Sequence, residues 1–277
     1  MLKEKKLGFI GGGQMCEAIF SGAVNSGAVS AGNIAITDTT QSRLDYLKEK
    51  YSVNVCLNHA DGSGAKAVIE ASDIIVLSVK PQFAREVLTS VKASFTAHKL
   101  VISIMGGVTL AFLQEFMPHT PVVRVMPNTP MMVRKGAAGI ALGENAAVYH
   151  GELVQELFNS VGISFILPEK LIDPLTALSG CGPAFAYMFI EALADGGVEY
   201  GLPRALALQL AAQTLAGSAE MVLQTKQHPG ELKDKVCSPG GGTIAGVHSL
   251  EKDAFRGSVI NAVEASCQRM IEVGKKA

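Results

Sequence analysis

The chain has 277 residues, of which 48% are hydrophobic and 18% are charged. This composition is too apolar for a disordered protein, and the length fits one large domain or two ordinary ones. The 24 basic and 25 acidic residues leave a net charge of −1, so no overall positive charge attracts nucleic acid or an anionic membrane. We therefore expect a folded protein that binds neither.

The cysteines and the N-terminus bear on the cellular compartment. Five cysteines lie tens of residues apart without metal-binding spacing, and an odd number cannot be fully paired within one chain. The N-terminal apolar run, residues 7–10, is too short for a signal sequence. The uncharged stretches 100–114 and 174–190 are shorter than the roughly 20 residues that span a bilayer. The sequence predicts a cytoplasmic protein with no metal site and no membrane segment.

Residues 1–167 alternate short β-branched runs with longer helical patterns, which predicts βαβ units and a parallel sheet. The runs are continuously apolar, so both sheet faces should be covered by helices. Strands are predicted at residues 7–10, 33–37, 74–78, 100–104, 122–125, 137–142 and 163–167, and helices at 15–26, 42–51, 82–91 and 146–161. The fold class is therefore α/β, with an N-terminal Rossmann-type, doubly wound sheet.

Residues 168–277 lack strand-like runs and form a second, all-helical domain, with long helices predicted from residues 184, 204 and 254. The helix that begins at Arg204 carries only one further charge, Glu220, in its first twenty residues. A helix that is apolar all round must be covered on all sides, and too few residues remain to cover it. The pattern therefore predicts a second subunit.

A glycine-rich turn follows the first predicted strand. Gly11 and Gly13 fill the first two positions of a dinucleotide fingerprint, and Cys16 stands at the third, where Gly or Ala is usual. Such a turn lets the backbone approach a pyrophosphate at a helix N-terminus. We predict a dinucleotide site, and the alternative is a tight glycine turn without a ligand.

Asp38 lies at the end of the second predicted strand, 25 residues beyond Gly13. A carboxylate there can accept hydrogen bonds from the adenosine ribose of NAD and would repel the 2′-phosphate of NADP. Two alternatives remain: Asp38 only begins a turn, or the following residues form a phosphate pocket, namely Thr39, Thr40, Ser42 and Arg43. The choice between NAD(H) and NADP(H) stays open.

Two further loops follow predicted strands, whose carboxyl ends are where open α/β sheets bind ligands. The first is Val79-Lys80-Pro81, where Lys80 could meet cofactor phosphates or a substrate carboxylate, or be an ordinary exposed lysine. The second is Met126-Pro127-Asn128-Thr129-Pro130, in which the two prolines around Asn128 would make a stiff loop with a fixed amide. The alternative is an ordinary turn.

Two glycine-rich segments in the second half, residues 179–183 and 238–243, precede predicted helices. Successive glycines at a helix N-terminus expose backbone N–H groups that can bind a small anion such as a carboxylate. Thr243 has an alternative role as the N-cap of a helix over residues 244–250.

Taken together, the motifs resemble those of the pyrroline-5-carboxylate reductase family between residues 8 and 267. They are GFIGGGQM, VKPQ, MPNTP, LSGCGPAFAYMFIEALADGGVEYGLPR, HPGELKDKVCSPGGGTIAGVHSLE and FRGSVINAVEASC. The resemblance implies reduction of the cyclic imine 1-pyrroline-5-carboxylate to L-proline by NADPH or NADH. It also implies a helical domain, residues 168–277, that binds substrate and interlocks two subunits in a homodimer, with decamers built as pentamers of dimers.

The resemblance assigns site residues as well. The cofactor would contact Gly11, Gly13, Gln14, Met15, Asp38, Asn58, Val79, Lys80, Pro81, Ile104, Met105 and Gly106. Ser238, Gly242, Thr243 and Lys80 would bind the substrate, and the Thr243 hydroxyl would lie at the reacting nitrogen as the catalytic group. This chain departs from the usual family pattern at Cys181, Phe185 and Lys226.

Two other functions are compatible with a dinucleotide fingerprint. A β-hydroxyacid dehydrogenase needs a lysine on an interdomain helix, and residues 184–200 contain none. A non-catalytic NAD(P)-binding sensor would have no need for Ser238 and Thr243.

Overall fold

The structure is a computed structural model in which residues 2–274 are described. They divide into two compact units. The first contains the residues up to 180 together with those from 267 onward, and the second contains residues 181–266.

The first unit is built on a sheet whose strand order is β3-β2-β1-β4-β5-β6-β7-β8. Strands β1 to β6 are parallel, β7 is antiparallel to β6, and β8 is parallel to β7. The strands are β1 Leu7–Ile10, β2 Ile34–Asp38, β3 Asn54–Leu57, β4 Ile74–Leu77, β5 Leu100–Ser103, β6 Val122–Met126, β7 Gly136–Leu142 and β8 Gly162–Ile166. This order confirms the predicted doubly wound fold, and it reverses between β1 and β4, where such folds bind dinucleotides.

Helices lie on both faces of this sheet, as its apolar strands require. They are α1 Gln14–Asn25, α2 Gln41–Tyr51, α3 Ser63–Ala71, α4 Ala84–Val91, α5 Leu110–Phe116, α6 Val148–Asn159 and the short α7 Ile172–Leu175. One buried cluster contains Phe9, Phe20 and Phe158, and the other contains Leu77 and Leu113. All four residues of β1 and of β4 are buried, which confirms that both faces are covered at the centre of the sheet. At the edge strand β8 the prediction is wrong, since Ile163, Phe165 and Ile166 are exposed.

The seven predicted strands are confirmed to within one residue at either end, whereas β3, α3 and α5 were not predicted. β3 is a sheet-edge strand, and its first residue, Asn54, is exposed. It therefore lacks the continuous apolar run by which its neighbours are recognised. The helices α3 and α5 are short, so few turns of periodic pattern mark them.

The first unit extends beyond the predicted boundary at residue 167. Ile172 is completely buried in a core cluster of the sheet. Glu169 accepts hydrogen bonds of 2.8 Å from both the Arg124 side chain and the backbone N–H of Leu110. In packing terms, residues 168–180 therefore belong with the sheet. The division of the chain into functional domains, 1–167 and 168–277, stays a prediction.

The second unit is helical and has a very small core. Its helices are α8 Gly182–Glu199, α9 Arg204–Thr225, α10 Pro229–Lys235, α11 Gly242–Lys252 and the greater part of α12 Phe255–Gly274. Its core cluster consists of Ala194, Ala207 and Ala211. Many large apolar side chains remain exposed, among them Tyr187, Met188, Leu208, Leu210, Leu223 and Ile260.

The helical stretches Glu169–Glu199 and Arg204–Thr225 are long and apolar enough to cross a membrane, judged by length and composition alone. In both, 11% of the apolar window is buried. The uncharged stretch 174–190 noted in the sequence is shorter than the helical stretch Glu169–Glu199 that contains it, because the helical stretch also includes a few charged residues. By composition, either a second subunit or lipid would suit such exposed surfaces.

Candidate active site

The turn between β1 and α1 can be formed only with glycine at its first position. Gly11 has a φ of +101°, and a Cβ there would lie 2.8 Å from the carbonyl oxygen of Ser78. The Ser78 hydroxyl donates to the carbonyl of Gly11 over 2.7 Å and so fixes the turn against the end of β4.

The N-terminus of α1 is open. Gly13 is its N-cap residue, and no side chain within residues 2–274 caps the helix. A Cβ on Gly13 would meet no atom of this region within 4 Å, so space exists beside the first helical residues, Gln14 and Met15. The unpaired N–H groups of a helix start favour a bound phosphate. The cradle therefore fits the pyrophosphate of a dinucleotide.

Asp38, the last residue of β2, is directed at this glycine turn. One carboxylate oxygen accepts from the Gly12 N–H over 2.7 Å, and the other accepts from the Thr40 N–H over 2.9 Å. The carboxylate therefore both forms the local turn and holds the glycine loop.

Arg43 lies on the other side of the same loop, in α2. Its Nε donates to the Gly12 carbonyl over 2.6 Å, and Nη2 donates to Glu17 over 2.6 Å and to the Gly13 carbonyl over 3.3 Å. The hydroxyl-bearing residues of the alternative phosphate pocket, Thr39, Thr40 and Ser42, are exposed. Glu17 was not identified from the sequence, because no local pattern shows that α1 and α2 meet.

Asn58 follows β3 and is next to Asp38 in the sheet edge, since its N–H donates to the Asp38 carbonyl over 2.9 Å. Its side-chain oxygen accepts from the Ala65 N–H, also over 2.9 Å, in the first turn of α3. The structure thus brings Asn58 and Asp38 together. Contact between Asn58 and a ribose stays a prediction.

The two remaining cofactor segments follow the neighbouring strands β4 and β5. Lys80 is exposed, and Pro81 begins a 3₁₀ turn. The N–H of Ile104 donates to the Leu77 carbonyl over 3.1 Å, and Met105 is buried. Both segments therefore lie at the carboxyl edge of the sheet, on the side expected for a ligand.

The Asn128 amide is fixed, as the flanking prolines suggested. It is buried, its nitrogen donates to the Ser179 carbonyl over 2.9 Å, and its oxygen accepts from the Ala137 N–H over 2.9 Å. Ser179 belongs to a π-helical turn, Thr176–Gly180, a feature often found at functional sites.

Residues 179–183 lead into the start of α8, and binding of an anion there stays a prediction. The chain runs from α7 through the π-helical turn to Cys181, the N-cap of α8. Its backbone is already helical before α8 begins, so the segment is not an extended glycine loop.

In the segment 238–243 a turn leads into the start of a helix, and binding of an anion there stays a prediction. The Gly241 N–H donates to the Ser238 carbonyl over 3.0 Å, and α11 begins at Gly242 with Gly241 as N-cap. No side chain within the described residues caps this helix, so the alternative role of Thr243 as N-cap is wrong. Thr243 is exposed in the first turn of α11, where the helix dipole favours an anion.

The doubly wound sheet and the open cradle after β1 are features of the dinucleotide-binding domain of NAD(P)-dependent oxidoreductases. Comparisons with known proteins agree. A family model described as NADP oxidoreductase, coenzyme F420-dependent, matches residues 6–107, and one described as pyrroline-5-carboxylate reductase dimerisation matches residues 169–273.

Full-length relatives identify the family. The pyrroline-5-carboxylate reductase of Glycine max is 45% identical over 267 residues, covering 96% of this chain and 95% of that protein. That of Methanosarcina acetivorans is 44% identical over 276 residues, covering 99% and 100%. The crystal structure of Plasmodium falciparum pyrroline carboxylate reductase with NADP bound has 37% identity and a TM-score of 0.86, covering 99% and 100%. The chain belongs to the pyrroline-5-carboxylate reductase family.

Proposed function

We propose that this protein reduces the cyclic imine 1-pyrroline-5-carboxylate to L-proline with NAD(P)H, the last step of proline biosynthesis. The observation that carries the proposal is identity of 44 to 45% to curated pyrroline-5-carboxylate reductases along nearly the whole chain. The fold and the two helix starts described above supply places for a dinucleotide and for a small carboxylate.

The dinucleotide is held at the carboxyl edge of the sheet. Backbone groups at Gly11, Gly13, Gln14 and Met15 bind the pyrophosphate, and Asp38 and Asn58 face the adenosine ribose. The segments after β4 and β5 line the rest of the cofactor, with contacts from Val79, Lys80, Pro81, Ile104, Met105 and Gly106. When bound, NAD(P)H supplies the hydride.

The substrate carboxylate binds at the start of α11. The Ser238 hydroxyl and the N–H groups of Gly242 and Thr243 are donors suited to it, and Lys80 is a further candidate to neutralise its charge. The Thr243 hydroxyl lies at the ring nitrogen and is the catalytic group. A protonated imine is already electrophilic at carbon, so the residues serve mainly to hold it in reactive geometry.

The active protein is a cytoplasmic homodimer that assembles further into a decamer, a pentamer of dimers, and it binds neither nucleic acid nor a membrane. The exposed apolar side chains of α8 and α9 support the dimer, since the family model that covers these helices describes dimerisation. In the dimer, the second subunit would cover these apolar side chains in place of lipid.

An absorbance assay tests the proposed reaction. NADPH and NADH should each be tried with 1-pyrroline-5-carboxylate, and NAD⁺ and NADP⁺ with a 3-hydroxy acid. Substrate-dependent loss of NAD(P)H absorbance with formation of proline is expected. Oxidation of the hydroxy acid instead would identify a β-hydroxyacid dehydrogenase, and nucleotide binding without either reaction would identify a sensor.

A further inference from the structure

Gly12 has both of its backbone polar groups bound by side chains of opposite charge. Its N–H donates to the Asp38 carboxylate over 2.7 Å, and its carbonyl accepts from Arg43 Nε over 2.6 Å. Asp38 ends β2 and Arg43 lies in α2, so two neighbouring elements fix one residue of the glycine loop from different directions. Charged partners make hydrogen bonds stronger than neutral ones.

Glu17 fixes the arginine in turn. Its carboxylate accepts from Arg43 over 2.6 Å, from the Tyr51 hydroxyl over 2.7 Å and from Lys50 over 3.1 Å. Partial burial acts to raise the pKa of Glu17, but these hydrogen bonds lower it to about 2. Glu17 is therefore ionised at neutral pH and holds the guanidinium in one orientation.

Resting on the proposed dinucleotide site, we propose that Arg43 is a positioning residue for the glycine loop and serves NADH and NADPH equally. By holding the Gly12 and Gly13 carbonyls, Arg43 keeps the Gly12–Gly13 peptide turned so that the next N–H groups, those of Gln14 and Met15, face the pyrophosphate. The pyrophosphate is common to both cofactors.

This role conflicts with that of a ligand for the 2′-phosphate, which only NADPH carries. A guanidinium that turned Nε and Nη2 toward that phosphate would give up Glu17 and the two loop carbonyls. The planar fork of Arg43 presents separate nitrogens, Nε to the Gly12 carbonyl and Nη2 to Glu17, whereas a lysine would have to reach both acceptors from a single nitrogen on a flexible stem. The geometry, and not only the charge, is therefore needed at position 43.

Equilibrium binding of NAD⁺ and NADP⁺ to the full-length protein, measured by calorimetry, tests the proposal without turnover. Arg43→Met and Arg43→Lys should both raise the Kd of the two nucleotides by the same factor, roughly tenfold or about 1.4 kcal/mol. Lys50→Met is the matched control, since Lys50 also donates to Glu17 but no contact with the loop is found for it within residues 2–274. It should change neither Kd by more than roughly twofold, because the loop contacts of Arg43 remain.

Each other outcome is decisive. Weaker binding of NADP⁺ alone would show that Arg43 contacts the 2′-phosphate. Normal binding by Arg43→Lys would show that only the positive charge at position 43 is needed. A lower Tm with unchanged Kd values would leave it a purely structural role. Arg43→Lys keeps the test available if Arg43→Met does not fold. If the wild-type protein binds neither nucleotide, it is the proposed function that fails.

Discussion

Replacing Thr243 by alanine separates a catalytic hydroxyl from a structural one. The residue lies in the first turn of α11, is exposed, and is not the N-cap, which is Gly241. Removing the side chain therefore breaks no cap, and alanine is the better helix former by less than about 0.7 kcal/mol. We expect the free energy of unfolding to be unchanged or slightly higher.

The effect on the reaction should be much larger. A hydrogen bond to the reacting nitrogen that is lost in the transition state costs about 1 to 3 kcal/mol, which corresponds to a loss of roughly five- to hundredfold in kcat/KM for the imine. The Kd of the nucleotide should stay within about twofold, because Thr243 has no part in the proposed cofactor site.

Steady-state kinetics with 1-pyrroline-5-carboxylate and a thermal unfolding curve, taken on the same preparation, provide the check. Thr243→Ser is the matched control, because it keeps the hydroxyl and removes only a methyl group. It should retain most of the activity that Thr243→Ala loses. A kinetically normal Thr243→Ala protein would remove this residue from the site and refute the assignment.

Three further predictions concern cofactor choice, the glycine turn and assembly. Asp38→Asn, which removes the negative charge and keeps an acceptor for the Gly12 N–H, should raise the ratio of kcat/KM for NADPH over NADH by roughly tenfold; an unchanged ratio would mean that Asp38 does not face the ribose. Gly11→Ala introduces a Cβ beside the Ser78 carbonyl at a positive φ, so the nucleotide Kd should rise at least about tenfold and the free energy of unfolding should fall by about 1 to 3 kcal/mol; an unchanged Kd in calorimetry would contradict this. Leu208→Glu, in the exposed surface of α9, should convert the dimer to a monomer in sedimentation velocity, whereas Lys48→Glu on the sheet unit should not; a stable Leu208→Glu dimer would place the interface elsewhere.

The success of the strand predictions has a local cause. Strands such as β1 and β4 are buried on both faces, so every residue must be apolar, and this is visible without knowledge of the neighbours. β3 lies at the sheet edge and begins with the exposed Asn54. Its identity as a strand depends on pairing with β2, which ends 16 residues before β3 begins. The local pattern therefore carries little information.

The candidate sites divide along the same line. The glycine turn and the start of α11 are continuous in sequence, so residue types alone indicated them. The contact of Glu17 with Arg43, 26 residues apart, depends on how α1 and α2 pack. The π-helical turn at Thr176–Gly180 was also missed, because Gly180 and the nearby Gly182 suggest an open loop as readily as a distorted helix.

Asp38 illustrates why the choice of substitution decides what an experiment can reveal. Its carboxylate is a negative charge at the end of β2, and it is also a structural acceptor for the N–H groups of Gly12 and Thr40. Alanine would remove the charge and release the glycine loop together, so gained affinity for a 2′-phosphate and lost affinity for the pyrophosphate would oppose each other. Asparagine removes the charge and keeps an oxygen for one of these donors, while its amide nitrogen cannot accept from the other, so at most one of the two hydrogen bonds is retained. The ratio between the two cofactors then reports repulsion of the 2′-phosphate, because any disturbance of the loop weakens the pyrophosphate contacts of NADH and NADPH alike.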